Sequence, residues 1–110
     1  PEALLCFNDH CAVGALMELR RQGVRVPQDV AVTGYDGIPV TAATAFSLTT
    51  VRQNAGLIAE VAVRALLARM HPDHGGQIPV GVAGADRRLG GHLYRVVPEL
   101  VVRDTTARAA

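Results

Sequence analysis

The sequence predicts an α/β fold built on a parallel sheet flanked by helices, and three stretches predict it. An apolar run, Leu4–Phe7, ends in the polar pair Asn8-Asp9. An amphipathic segment follows as far as Gln22 and is closed by Gly23. A second apolar run, Val30–Val32, ends in the turn-forming group Gly34-Tyr35-Asp36-Gly37. Ala3–Asp36 therefore reads as a strand–helix–strand unit, a connection that is right-handed in almost all parallel sheets. Parallel strands place their carboxyl ends on one edge, and ligands of open α/β sheets sit outside that edge. Asn8 and Asp36 are expected to face the same crevice.

The first strand is uniformly apolar, as expected of a strand covered on both faces. Asn8 is a good helix N-cap because its side chain can accept from a free backbone N–H, and Asp9 then lies at the positive end of the helix dipole. Ala12, Ala15, Leu16 and Leu19 recur at helical spacing and form the core stripe. Val13 and Met17 widen it, which points to a second buried face against a neighbour or a partner subunit. Val24–Pro27 is a connector, since Pro27 cannot enter a central ladder. Val40–Leu48 is a loop or short helical turn, and Leu48–Val51 is a short strand. Asn54 caps a second helix over Ala55–Met70, with an apolar stripe of Leu57, Ile58, Val61, Ala62, Ala65 and Leu66. Glu60 and Arg64 pair at i,i+4 on its wet side. Gly75–Gly91 reads as a long surface loop with one short strand at Ile78–Val82. Leu93–Val97 and Glu99–Val102 are strands broken by Pro98, and the chain from Arg103 onward is expected to fray.

The 110 residues, 49% of them hydrophobic, suffice for one small domain with a real core. No run of about 18 apolar residues is present, so no membrane span is expected. The first residues lack the basic and apolar regions of a signal peptide. The chain begins at Pro1 without a Met, as expected of a fragment of a longer protein. Its formal net charge is +1 and all 11 basic residues are Arg. Arg20, Arg21 and Arg25 cluster at one helix end, where cations suit the dipole, and form no stripe broad enough to grip nucleic acid. Cys6 and Cys11 read as free buried thiols, which fits a reducing compartment.

Little in the chain supports catalysis or a cofactor. Ser47 is the only serine and has no nucleophile-elbow context. His10 and Cys11, adjacent on a helix, diverge by about 100° and make a poor dyad. His71, Asp73, His74 and His92 match no strong metal-ligand spacing, and Pro72 interrupts any regular helix across them; no metal is expected. Gly84, Gly90 and Gly91 open no helix after a strand, so no dinucleotide or phosphate loop is expected. Asn8, Asp36 and Gln53 remain, each a polar side chain at a strand end. A carboxylate and two amides suit vicinal hydroxyls. Asn8 also reads as a cap alone and Asp36 as a turn former alone.

Several motifs carry a family resemblance: Phe7-Asn8-Asp9, Ala12–Leu16, Gly23–Val30, Gly34-Tyr35-Asp36, Leu48–Gln53 and Pro98–Arg103 occur in order and at the spacing of the LacI/GalR repressors. The whole chain resembles the carboxyl-terminal part of their effector-binding domain. The resemblance implies a two-lobed fold like that of periplasmic binding proteins, with residues 1–50 and 92–106 mainly in the carboxyl-terminal lobe. Residues 51–91 then supply a crossover, an amino-terminal-lobe helix and a loop. It implies a non-enzymatic, cytoplasmic transcriptional regulator without a cofactor. Its effector would be a small molecule such as a sugar, held by Asn8, Asp36 and Gln53. A homodimer would form through the helix after Asn8, with Ala12, Val13, Leu16 and Met17 at the interface. DNA would be bound only through an amino-terminal helix-turn-helix that this sequence does not contain, and no membrane is involved. The alternative is part of a periplasmic-type sugar-binding transport protein. The Gly75–Gly91 stretch is longer than the resemblance explains.

Overall fold

The computed structural model describes residues 2–71, 82–86 and 93–107. The elements are β1 (Ala3–Leu5), α1 (Asp9–Arg21), β2 (Ala31–Asp36), a 3₁₀ turn (Pro39–Ala42), β3 (Thr49–Arg52), α2 (Ala55–Met70), β4 (Val82–Asp86), β5 (Leu93–Val96) and β6 (Glu99–Val101). They form two units, Pro1–Gln53 with Glu99–Ala110, and Asn54–Pro98. The divisions fall after Gln53 and Pro98.

The first unit carries a four-stranded sheet in the order β1-β2-β3-β6. β1, β2 and β3 are parallel, with Leu5 opposite Thr33 and Asp36 opposite Arg52; β6 runs antiparallel to β3. The expected strand–helix–strand unit is therefore present. α1 starts where Asn8 Oδ1 accepts from Cys11 N at 2.9 Å. It ends at Gly23, whose N–H reaches the Arg20 carbonyl. Ala12 and Leu16 pack on Val32 and Leu48, all four wholly excluded from water, with Cys6, Leu19, Val26 and Phe46 around them. In the connector, Arg25 donates from its backbone N–H and its guanidinium to Asp29. These bonds hold the Asp29 carboxyl down from 3.8 to about 2. The clamp stabilises the fold above the ordinary Asp range and fades as pH falls toward 2.

Four expectations need correction here. Among the described residues β1 is not covered on both faces: it pairs only with β2, and Leu5 and Phe7 are 79% and 88% exposed. Cys11 is exposed and Cys6 half-buried, although both thiols are free. Burial and the nearby Cys11 push the Cys6 thiol upward. Ala12 and Leu16 point into the core and cannot also form a dimer face; only Val13, half-buried, and Met17, exposed, look outward on that side. The chain after β6 is docked, not frayed. Thr105 Oγ1 accepts from Thr49 N at 2.8 Å, and Arg103 donates to the Leu48 carbonyl at 2.7 Å.

The second unit holds α2 and an antiparallel β4–β5 pair. α2 spans the expected residues, and its cap Asn54 accepts from Leu57 N at 3.1 Å. Glu60 and Arg64 pair as expected. Of the expected stripe only Val61 is fully buried, whereas Ile58 and Leu66 stay exposed. Of the strand expected at Ile78–Val82, residues 78–81 lie outside the described residues, and the strand observed is Val82–Asp86. The rest of the expected loop, residues 75–77 and 87–91, also lies outside them.

Leu16 and its neighbour Met17 separate core from surface on one helix. Leu16→Ala should lower stability by about 2–5 kcal/mol through the cavity it leaves. Met17→Ala should change it by less than about 0.5 kcal/mol. Urea denaturation of both variants checks the contrast; equal losses would contradict the packing described.

Candidate functional site

The carboxyl ends of β1, β2 and β3 lead to Asn8, Asp36 and Gln53 on one edge of the sheet. Asp36 and Gln53 are brought together: Gln53 Nε2 donates to Asp36 Oδ1 at 2.8 Å, and the Gln53 backbone N–H reaches the Asp36 carbonyl at 3.2 Å. Both side chains are half-buried. Asp36 has φ 114°, a region that non-glycine residues rarely occupy and that is strained where it occurs. Gly37 follows with φ +72°, and a Cβ there would lie 2.7 Å from Arg52 Cα. Only glycine fits where the turn presses against the end of β3. Asn8 spends its side-chain oxygen on the α1 cap and makes no bond to Asp36 or Gln53 among the described residues.

The residue that joins these ends is Asp9, which sequence reasoning placed only at the helix dipole. Its side chain is wholly buried. Oδ1 accepts from Thr50 Oγ1 at 2.6 Å, and Oδ2 accepts from Ile38 N at 2.9 Å. Thr41 Oγ1 lies 3.2 Å from Oδ2 and 2.7 Å from the Ile38 carbonyl, and its single proton can serve either acceptor. The first turn of α1 is thereby tied to the loop after β2 and to the middle of β3. Gly34 makes room for this: a Cβ there would sit 2.2 Å from Asp9 Oδ1 and 2.9 Å from Leu48 Cδ2. An isolated glycine inside a strand marks such a close approach, and Gly34 was the signal available in the sequence.

Among the described residues no group of His, Cys, Asp and Glu could hold a metal ion; Asp73, His74 and His92 lie outside them. None of the described helices is long and apolar enough to cross a membrane. The edge offers a carboxyl group, two carboxamides and backbone turns, which is hydrogen-bonding chemistry suited to holding a polar small molecule.

An open, mostly parallel sheet with polar side chains along its carboxyl edge is the arrangement in which α/β proteins hold their ligands. The chain belongs to the periplasmic binding protein-like domain family, whose model matches residues 1–106, in the form carried by LacI-family transcriptional regulators. It is 39% identical over 103 residues to the HTH-type transcriptional repressor PurR of Aliivibrio salmonicida, spanning 94% of this chain and 27% of that protein. A LacI-family regulator from Corynebacterium glutamicum superposes with a TM-score of 0.74 at 29% identity, covering 97% of this chain and 36% of the other. The dimeric Lac repressor with an 11-residue carboxyl-terminal deletion gives 0.73 at 27% identity, covering 96% and 34%. The chain thus spans little more than a quarter of its PurR relative's length.

Gly34→Ala is the sharpest test of the Asp9 arrangement. The added methyl must displace the Asp9 carboxyl or Leu48, and it should destabilise the chain by about 1–3 kcal/mol or more. A urea midpoint within error of the parent would show that Asp9 does not sit where β2 passes it.

Proposed function

We propose that this chain is the effector-sensing and dimerisation portion of a LacI-type transcriptional regulator, with the effector held at the edge formed by Asn8, Asp36 and Gln53. The observation that carries the reading is the Asp36–Gln53 pair at the strand ends, with Asp36 on a strained backbone. Strain of this kind persists where the surroundings enforce it and clusters at ligand sites. In this reading the first unit belongs to the carboxyl-terminal lobe and α2 to the amino-terminal lobe. The parent protein is cytoplasmic and non-enzymatic, and binds DNA through a helix-turn-helix outside this chain.

The effector is a small polar molecule. The resemblance favours a sugar, whose hydroxyls suit the carboxyl and amide groups. The PurR relatives make a purine the second class to test. Repressor relatives and LacI-family neighbours favour a regulator over a transport protein. A homodimer is supported by the dimeric Lac repressor neighbour and by the outward side chains Val13 and Met17 on α1.

Calorimetric titration of the intact regulator with D-galactose, D-ribose and hypoxanthine, beside a melting curve, tests the site. For the compound that binds, Asp36→Ala should weaken affinity by about 2–4 kcal/mol, roughly thirty- to a thousand-fold, because desolvated donors lose a charged acceptor. Asp36→Asn should lose less, since one acceptor survives. Unchanged affinity with a lowered melting temperature would make Asp36 a turn residue and remove the site.

A further inference from the structure

We infer that Asp9 is a positioning residue for the effector edge: it holds the Asp36–Gln53 pair and Asn8 in one fixed arrangement without itself offering an atom to the ligand. The inference rests on the site reading above, which nothing else extends to Asp9. Three observations carry it. First, Asp9 has no exposed surface, so its oxygens are closed to an effector, and among the described residues they serve Thr50, Ile38 and the Thr41 hydroxyl. Second, its contacts lie just beside the site residues. Ile38 is two positions after Asp36, Thr50 is three before Gln53, and Asp9 itself follows Asn8. Third, neighbouring backbone gives way to it, since Gly34 leaves the space that Asp9 Oδ1 fills.

The two oxygens have separate tasks. Oδ2 fixes the loop after β2 through the Ile38 N–H, which sets where the strained Asp36 backbone turns. Oδ1 ties β3 to the start of α1 through Thr50, three residues before Gln53. The β2–β3 ladder aligns Asp36 with Arg52, and the Gln53 backbone N–H bond to the Asp36 carbonyl carries the pairing one residue further. The Asp9 carboxyl adds to this backbone pairing a side-chain tie on each of the two segments that end in the pair. A binding site whose groups are held by such a supporting shell loses precision when the support goes, even if the groups remain.

The test needs no effector, so its failure is distinct from failure of the Asp36 titration. In the 110-residue chain, NMR follows the Gln53 side-chain amide, which is bonded to Asp36, and the exchange of the Ile38 and Gln53 backbone amides. Asp9→Ala should move the Gln53 side-chain signals to the position of free glutamine and speed Ile38 exchange about tenfold or more, while the amides of Ala12, Leu16 and Val32 keep their protection. Asp9→Asn should restore much of the parent pattern, because an amide can accept from Ile38 and donate to the Thr50 hydroxyl. Should Asp9→Ala fail to fold, Thr50→Val removes only the Oδ1 bond and should still shift the Gln53 signals, with Thr50→Ser restoring them. Unmoved Gln53 signals in the folded variants, or equal acceleration of every amide, would overturn the assignment.

Discussion

A carboxyl group without access to water sits where α1 begins, and it is satisfied by groups from two other segments. Burying a charged or polar group is unfavourable unless its partners are supplied by the fold. Asp9 obtains them from Ile38, Thr50 and the Thr41 hydroxyl, residues 29–41 positions away in sequence. Those bonds form only when the helix, the loop after β2 and β3 are all in place. The arrangement is therefore conditional in both directions. The fold satisfies the carboxyl group, and the carboxyl group admits only folds in which these three ends meet. Removing it would leave the Ile38 N–H and the Thr50 hydroxyl buried beside an empty space.

The same logic explains why polar chemistry gathers at one edge of this sheet. The opposite ends of β2 and β3 are closed by the carboxyl-terminal segment, where Thr105 and Arg103 occupy the backbone of Thr49 and Leu48. At the carboxyl edge the groups are half-buried and bonded to one another, Asp36 to Gln53, with acceptor capacity left on the Asp36 carboxyl. A strained turn that is held from beneath by a buried carboxyl and from the side by Arg52 can present that capacity in one orientation.

Much of this was legible in the residues. The 3.6-residue spacing of Ala12, Leu16 and Leu19, bounded by Asn8 and Gly23, is a strong local signal, and α1 follows it. α2 follows Asn54 and its own stripe in the same way. The placement of Asn8, Asp36 and Gln53 on one edge came from the handedness and parallel order of the strands. What could not be read was non-local. Asp9 looks like an ordinary first-turn acid until Ile38 and Thr50 are seen to converge on it. β1 is as apolar as a central strand, and among the described residues β2 is its one neighbour. Leu16 and Met17 were legible, since helical spacing placed Leu16 in the core stripe and Met17 beside it; that Leu16 is too buried to serve a dimer face as well was not. The docking of Thr105 was hidden because threonine reads as polar tail wherever its partner is unknown.

The Asp9–Thr50 bond is an interaction in its own right and not two separate buried groups. A double-mutant cycle on the 110-residue chain measures it, using urea denaturation of Asp9→Ala, Thr50→Val and the double variant. The double variant should lose less than the sum of the single losses by about 1 kcal/mol or more, because the second change removes a partner already lost. Additivity to within about 0.3–0.5 kcal/mol would contradict it.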